Sequence, residues 1–211
     1  MNVEQASNER RIGIMGGTFD PIHYGHLVIA EEVRTRLNLT EVLFIPTGDP
    51  PHKPGLSVTS AEQRASMVAL AIASNPYFVL SRMEIDRPGP SYTVDTLRQL
   101  RQQWGRQMGI YFVIGWDSLE DLHHWYDPQG LLAELTGLVA VRRPGHVEEV
   151  EYKKVIEQRL PGITQLLHVV DAPQLDISAT DLRKRVAEGR PIKYQTSEAV
   201  EHYILTHKLY Q

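Results

Sequence analysis

Short apolar runs alternate along this chain with longer stretches in which apolar residues recur every three or four positions. The runs predict strands at residues 11–15, 41–46, 77–80, 110–114, 138–141 and 166–170. The stretches predict six helices. The first runs from residue 23 or 25 to 37, the second begins at a capping box at 59–63 and ends near residue 74, and the third follows a turn at 87–90 and runs through Leu100. The other three are at residues 147–160, 179–188 and 197–207. Strands that alternate with helices form parallel βαβ units. The pattern therefore predicts a doubly wound, mostly parallel open α/β sheet with helices on both faces.

The length of 211 residues favours one domain. We expect a flexible polar lead-in at residues 1–10 and a single domain at residues 11–211 that closes with two helices. In an open parallel sheet, ligands bind beyond the carboxyl ends of the strands, near the point where the strand order reverses. Chemistry is therefore expected at the end of the first strand.

The glycine–histidine segment, residues 16–26, follows that strand and has the sequence GGTFDPIHYGH. Gly16 and Gly17 are expected to let the backbone turn sharply and approach a ligand closely. Asp20 precedes a proline and is expected to cap a helix start. A helix start presents free N–H groups and a positive dipole to an anion. The segment therefore predicts a site for phosphate groups.

Two histidines in this segment strengthen that prediction. His23 and His26 share one face if the segment is helical, because residues three apart are neighbours on a helix. Both can then donate hydrogen bonds to phosphate oxygens. The alternative is a tight turn with two structural histidines, but the combination with paired glycines and a hydroxyl favours the phosphate site.

The chain lacks the signatures of several other classes of protein. It has no GxGxxG dinucleotide fingerprint, no GxxxxGK[ST] loop and no HExxH zinc helix. It has no cysteine, which excludes disulfides, cysteine-ligated metals and a cysteine nucleophile. The net charge of −4 opposes a broadly basic nucleic-acid surface, and no apolar run is long enough to span a bilayer. We expect a cytoplasmic protein without nucleic-acid or membrane partners, and the oligomeric state stays open.

Later segments carry candidate ligand groups, each with a structural alternative. The loop at residues 47–57 is stiffened by prolines and brings donors through His52 and Lys53, or is only a rigid surface connection. The Trp125–Tyr126 pair offers an aromatic face, or packs in the core. Ser178 and Thr180 precede a helix that one of them caps, and Arg183 lies near the same end, where a guanidinium suits a diphosphate or is simply solvated.

Together these motifs resemble the bacterial nicotinate-nucleotide adenylyltransferase family of the nucleotidylyltransferase superfamily. The resemblance rests on GGTFDPIHYGH at residues 16–26, PPHK at 50–53, GWDS at 115–118 with WY at 125–126, and ISATDLR at 177–183. It covers most of the chain in family order. At Ala179 the family commonly has serine, so we expect no hydroxyl contact there.

The resemblance implies a Rossmann-like fold and transfer of AMP from ATP to nicotinate mononucleotide, which yields deamido-NAD and pyrophosphate in NAD biosynthesis. It implies that the catalytic residues are His23, His26 and Arg183. It implies that ATP is bound by Gly16, Gly17, Thr18, Phe19, Gly25, Asp117, Ile177, Ser178 and Thr180. It implies that the acceptor is bound by His52, Lys53, Thr93, Trp125 and Tyr126. Mg²⁺ is expected on the ATP phosphates, with no side-chain metal cage.

Three alternative functions remain open at this point. The same chemistry could use nicotinamide mononucleotide or phosphopantetheine as the acceptor. A non-catalytic nucleotide-binding module would keep the glycines and aromatic residues but has no need of His23, His26 and Arg183. An NAD-dependent oxidoreductase on a similar sheet is disfavoured by the missing dinucleotide fingerprint.

Overall fold

A computed structural model of the chain describes residues 10–50, 58–142, 149–173 and 175–211. Residues 1–9 of the predicted lead-in, as well as His52 and Lys53, lie outside these ranges. Within them, one sheet contains the strands β1 (Arg11–Gly17), β2 (Glu41–Pro46), β3 (Phe78–Leu80), β4 (Gly109–Gly115), β5 (Gly137–Arg142) and β6 (Leu167–Asp171). All neighbouring strands are parallel, in the order β3-β2-β1-β4-β5-β6. The predicted parallel α/β sheet is confirmed.

Both faces of the sheet are buried, because alternate residues of each strand point to opposite sides. Ile12 and Ile14 of β1 pack on one face with Phe112 of β4. Val42 and Phe44 of β2 pack on the other face. A parallel sheet covered by helices on both sides needs apolar residues at nearly every central position, as these strands have. The prediction of a doubly wound architecture is therefore confirmed.

The helices that cover the sheet are α1 (Tyr24–Arg36), α2 (Ala61–Ile72), α3 (Thr93–Trp104), α4 (Trp116–Asp121), α5 (Pro128–Ala133), α6 (Glu149–Arg159), α7 (Ile163–Leu166), α8 (Ala179–Ala187) and α9 (Glu198–Thr206). The segment predicted to cap α2 contains its N-cap, Ser60, whose hydroxyl accepts from the Gln63 N–H at 3.3 Å. The Gln63 side chain accepts from the Ser60 hydroxyl at 3.0 Å. The sequence pattern missed α4, α5 and α7. Helices of four to six residues complete too few turns to establish an apolar period.

The strand order reverses between β1 and β4, which are neighbours in the sheet. The connections after β1 build the sheet toward β3, and the connections after β4 build it toward β6. Segments that leave the carboxyl ends of these two strands therefore diverge and leave a crevice between them.

Candidate active site

A cleft of about 790 Å³ opens at the carboxyl ends of β1, β4 and β5. Its volume lies in the range of small-molecule sites. Twelve of the residues predicted to bind ligand line it: Gly16, Gly17, Thr18, His23, Gly25, His26, Thr93, Asp117, Trp125, Tyr126, Ile177 and Ser178. The fold thus brings together residues of the glycine–histidine segment, of the GWDS and WY motifs, of the ISATDLR motif and of the start of α3. Phe19, Thr180 and Arg183 do not line the cleft.

The glycines at the start of the glycine–histidine segment do not form the sharp turn that the sequence predicts. Gly16 and Gly17 are the last residues of β1, and neither has a positive φ. The left-handed residue is Phe19, with φ of 51°. Phe19 is buried in the core and packs against Phe44, which anchors the glycine–histidine segment to the core. A Cβ on Gly17 would lie 3.1 Å from the Phe19 ring, so a larger residue there would require this ring to move by a few tenths of an ångström.

His23 occupies the N-cap position of α1, and the prediction that Asp20 caps this helix is wrong. The backbone N–H of His23 donates to Nδ1 of His26 at 3.2 Å, and the two ring centroids lie 3.8 Å apart. An Nδ1 atom that accepts a hydrogen bond carries no proton, so the neutral His26 ring has its proton on Nε2. The helix start therefore fixes both the position and the tautomer of this imidazole.

Burial keeps both rings neutral. It lowers the pKa of His23 to about 4 and, together with the neighbouring His23 ring, lowers the pKa of His26 to about 3. Each ring thus offers one N–H donor at neutral pH. The site contains hydrogen-bond donors here rather than two fixed cations.

Packing fixes the His23 ring. Its Nδ1 is buried and has no hydrogen-bond partner among the residues that the structure describes. A Cβ on Gly25 would lie 3.0 Å from Nδ1 and from Cε1 of this ring. Glycine at this position therefore allows the imidazole to lie close against the first turn of α1.

Arg183 reaches the glycine–histidine segment from α8. Its Nη1 donates to the backbone carbonyl of Asp20 at 2.7 Å, across 163 residues of sequence. Its Nη2 donates to the Thr180 hydroxyl at 3.3 Å. Ser178 is the residue that caps α8, since its side chain accepts from the Asp181 N–H. The C-terminal motif and the glycine–histidine segment are thus joined by a direct hydrogen bond.

Aromatic residues line the cleft on the side of α3. The Tyr126 ring is 58% exposed and lies 4.5 Å from the Tyr92 ring, while the Trp125 ring meets the edge of Phe112 at 6.2 Å. Thr93 is the first residue of α3, and Tyr92 rather than Thr93 occupies the N-cap position. This wall offers exposed ring faces beside polar groups, an arrangement that suits a flat heterocycle.

Two buried charged residues in or near the cleft were not predicted from the sequence. Arg64 is 1% exposed and donates to the carbonyl oxygens of Thr18 at 2.7 Å, Thr47 at 2.6 Å and Thr59 at 2.9 Å. It ties together the loops that follow β1 and β2. The signal in the sequence that could have indicated its burial was its position among the apolar residues of α2.

Glu84 is the second such residue, and it lines the cleft. Its carboxylate accepts from the Thr96 hydroxyl at 2.6 Å, and burial raises its pKa. Glu84 lies in a stretch without helix or strand, where sequence periodicity carries no information about burial.

The polar groups at the far wall include one ion pair. Asp117 stands in the first turn of α4, at the end of β4. Arg142, at the end of β5, binds both carboxylate oxygens of Asp171 at 2.9 and 3.1 Å.

No group of three or more His, Asp or Glu side chains able to hold a metal ion occurs within the described ranges. None of the helices in these ranges has the length and apolar character of a membrane span.

Comparison with known proteins shows the family of this chain. The family model described as "Cytidylyltransferase-like" matches residues 14–185. Relatives from Roseiflexus castenholzii and Moorella thermoacetica are both named "Probable nicotinate-nucleotide adenylyltransferase". The first is 50% identical over 201 residues, which cover 95% of this chain and 98% of the relative. The second is 47% identical over 205 residues, which cover 95% and 92%.

Solved structures agree on the fold. The Plasmodium falciparum nicotinic acid mononucleotide adenylyltransferase complexed with NaAD matches with a TM-score of 0.77 and 21% identity, covering 95% of this chain and 97% of that chain. The structure of that enzyme complexed with APC matches with a TM-score of 0.75. The chain therefore belongs to the cytidylyltransferase-like family and, within it, to the nicotinate-nucleotide adenylyltransferase family of its curated relatives.

Proposed function

We propose that this protein transfers AMP from ATP to nicotinate mononucleotide and releases pyrophosphate, forming deamido-NAD. The observation that carries the proposal is the His23–His26 pair, which lies on the wall of the cleft at the point where the strand order reverses. The names of two relatives that are 50% and 47% identical to this chain support the same reaction. The reaction is a step in NAD biosynthesis.

The proposed chemistry needs no general base. A phosphate monoester has its second pKa near ~6, so the acceptor's phosphate is mostly dianionic at neutral pH. One of its oxygens attacks the α-phosphorus of ATP. The bond from that phosphorus to the bridging oxygen of the β-phosphate breaks, and its electron pair leaves with pyrophosphate. Catalysis then consists of holding the reactants in line and stabilising the charge that builds on the phosphates.

The neutral histidines suit this task. His26 has its Nδ1 occupied by the backbone N–H of His23, so the proton on Nε2 is the one it can donate. We propose that His26 and His23 donate to the triphosphate and to the charge developing around the α-phosphorus. An anion near these rings also favours their protonated form, which would add positive charge when ATP binds.

Other residues that line the cleft, and Arg183 beside it, have proposed roles in ATP binding. Gly16, Gly17 and Thr18 allow close approach of the phosphates to the end of β1, and Asp117 accepts from a ribose hydroxyl. Ile177 and Ser178 form the wall contributed by the start of α8, as Gly25 does at the start of α1. Arg183 has further N–H groups beyond the two that bind Asp20 and Thr180. We propose that these hold the departing diphosphate.

The acceptor is proposed to bind at the aromatic wall. Trp125 and Tyr126 would face the pyridine ring, and Thr93 would bind its substituent near the start of α3. His52 and Lys53 stay predictions from the sequence, since they lie outside the described residues. The same holds for a cytoplasmic location. Discrimination between a carboxylate and a carboxamide would fall to backbone N–H groups at this wall.

The residues that the structure describes do not form a site for a metal ion held by the protein. The described part of the chain contains no cluster of three metal-binding side chains, and the Asp20 carboxylate is already bonded to Tyr210 and to the Thr59 N–H. We propose that Mg²⁺ enters bound to the phosphates of ATP. No step of the mechanism above is assigned to it.

A single assay of pyrophosphate release tests the proposal. The purified protein is incubated with ATP and Mg²⁺ and either no acceptor, nicotinate mononucleotide, nicotinamide mononucleotide or phosphopantetheine. We expect release only with a mononucleotide and a higher kcat/KM for nicotinate mononucleotide. Equal kcat/KM values for the two mononucleotides would remove the acceptor assignment, and no release with any acceptor would support a non-catalytic nucleotide-binding module.

A further inference from the structure

The segment that follows α8 packs against the back of the glycine–histidine segment. The Thr196 hydroxyl, 3% exposed, donates to the carbonyl of Ile22 at 2.8 Å. The carbonyl of Gln195 accepts from the N–H of Tyr24, the first residue of α1, at 3.0 Å. Two backbone groups of the proposed phosphate site are thus bonded to the C-terminal part of the chain.

The last residues add a third bond, to a carboxylate. The Tyr210 hydroxyl donates to Oδ1 of Asp20 at 2.6 Å, across 190 residues of sequence. Asp20 is 3% exposed, and its Oδ2 accepts from the N–H of Thr59 at 3.3 Å. Burial and the bond to Asp20 raise the pKa of Tyr210, so its hydroxyl remains a donor at any pH at which the enzyme would work.

The backbone after α9 is shaped to make this contact. Lys208 and Tyr210 have φ values of 50° and 65°, in the left-handed region that non-glycine residues rarely adopt. Between them Leu209 is buried in the core and donates its N–H to the carbonyl of Ile204 at 3.0 Å. The chain thus reverses after the helix, anchors itself with Leu209 and directs Tyr210 back toward Asp20.

Asp20 connects this anchor to the proposed catalytic arginine. Its carbonyl accepts from Arg183 at 2.7 Å, while its side chain is held by Tyr210 and Thr59. Burial lowers the pKa of the Arg64 guanidinium, and the nearby Asp20 and Tyr210 side chains oppose that lowering electrostatically. A buried carboxylate is tolerated only when its oxygens are hydrogen-bonded. Loss of one donor therefore forces Asp20, and the backbone that binds Arg183, to adjust.

We propose that Tyr210 is a positioning residue for adenylyl transfer: its hydroxyl fixes Asp20, and through Asp20 it holds Arg183 and the glycine–histidine segment in place relative to ATP. The inference rests on the proposed function, because it assigns those groups to the reacting phosphates. Transfer depends on alignment of the reactants, so a small shift of this segment affects turnover more than binding.

Tyr210→Phe tests the inference, because it keeps the ring and removes the hydroxyl. We expect kcat to fall about tenfold, with KM for ATP within about twofold of wild type. The melting temperature is expected to fall by about 3–10 °C, because one hydrogen bond to a buried carboxylate is lost. Tyr203→Phe is the matched control: Tyr203 is also partly buried against this core, but its ring stacks on His207, and we expect wild-type kinetics. An unchanged kcat in Tyr210→Phe, or a fall of the same size in Tyr203→Phe, overturns the proposal.

A double-mutant cycle with Asp20→Asn identifies the route of the effect. If Tyr210 acts through Asp20, the two single losses in kcat are not multiplied in the double variant; multiplied losses overturn the proposal. The cycle uses whichever acceptor the wild-type protein accepts. Absence of pyrophosphate release by the wild-type protein is a failure of the proposed function, whereas an active wild type with a fully active Tyr210→Phe is a failure of this inference alone.

Discussion

The backbone N–H of His23 donates to Nδ1 of His26, so one residue of the pair sets the tautomer of the other. This bond is formed at the first turn of α1, where N–H groups have no partner within the helix. The remaining proton of His26 is on Nε2. A single local hydrogen bond therefore decides which atom of this ring is available as a donor to substrate.

The first prediction concerns the donor atom of His26. His26→Ala is expected to lower kcat by about 10²–10³-fold, the usual effect of removing one oriented donor, while weakening ATP binding far less. His26→Gln is expected to recover more activity than His26→Asn, because its amide N–H extends further, toward the position of Nε2. Steady-state pyrophosphate release and ATP titration measure both quantities. His202→Ala, on the exposed face of α9, serves as the control. Near wild-type turnover of His26→Ala would remove its catalytic role.

The second prediction concerns the geometry of Arg183. A lysine keeps the charge but cannot reproduce a planar guanidinium that binds Asp20 and Thr180 at once. Both Arg183→Ala and Arg183→Lys are therefore expected to lose most of kcat/KM for pyrophosphate release. The exposed Arg190, which pairs with Glu188, gives the control Arg190→Lys. Full activity of Arg183→Lys would show that charge alone is sufficient.

The third prediction concerns the buried Arg64. Arg64→Met removes the buried guanidinium that donates to four carbonyl oxygens, those of Thr18, Thr47, Gly48 and Thr59. We expect a loss of about 3–5 kcal/mol in the free energy of unfolding. Arg36→Met, which breaks a pair between the exposed Arg36 and Glu32, is expected to cost less than about 1 kcal/mol. Urea denaturation measures both. Equal losses would contradict the role assigned to Arg64.

The fourth prediction is a pH dependence of stability. Folding lowers the pKa of His26 from 6.5 to about 3, so below pH 6.5 the unfolded state binds a proton that the folded state does not. Stability therefore falls as the pH falls, until the pH approaches 3. His23 acts in the same direction, with a folded pKa of about 4.

Chemical denaturation between pH 6 and pH 5 tests this sign. The free energy of unfolding of wild type is expected to fall more steeply than that of His26→Gln, by about 1 kcal/mol per pH unit. Identical slopes for the two proteins would show that burial does not depress the pKa of His26. The comparison isolates this one ring because both proteins share every other titrating group.

Much of the site could be predicted because many of its residues belong to short continuous segments of the sequence. The spacing of His23 and His26 and the cap at Ser178 depend on neighbours three residues apart, which a local reading detects. The predicted turn at Gly16 and Gly17 was wrong because β1 pairs with β2 as far as Gly17 and keeps both residues extended. That pairing partner lies outside the segment.

The sequence by itself determined the six strands and the longer helices along the chain, the parallel sheet and the group of motifs that defines the family. Apolar periodicity and short motifs are local properties of the chain, so they can be recognised without the tertiary structure. Only the tertiary structure decided that Arg183 and Tyr210 meet at Asp20, that Arg64 is buried, and that burial keeps the two histidines neutral. These features depend on contacts across up to 190 residues and on the exclusion of water. Neither leaves a periodic trace in the sequence, because each arises only when distant segments pack together.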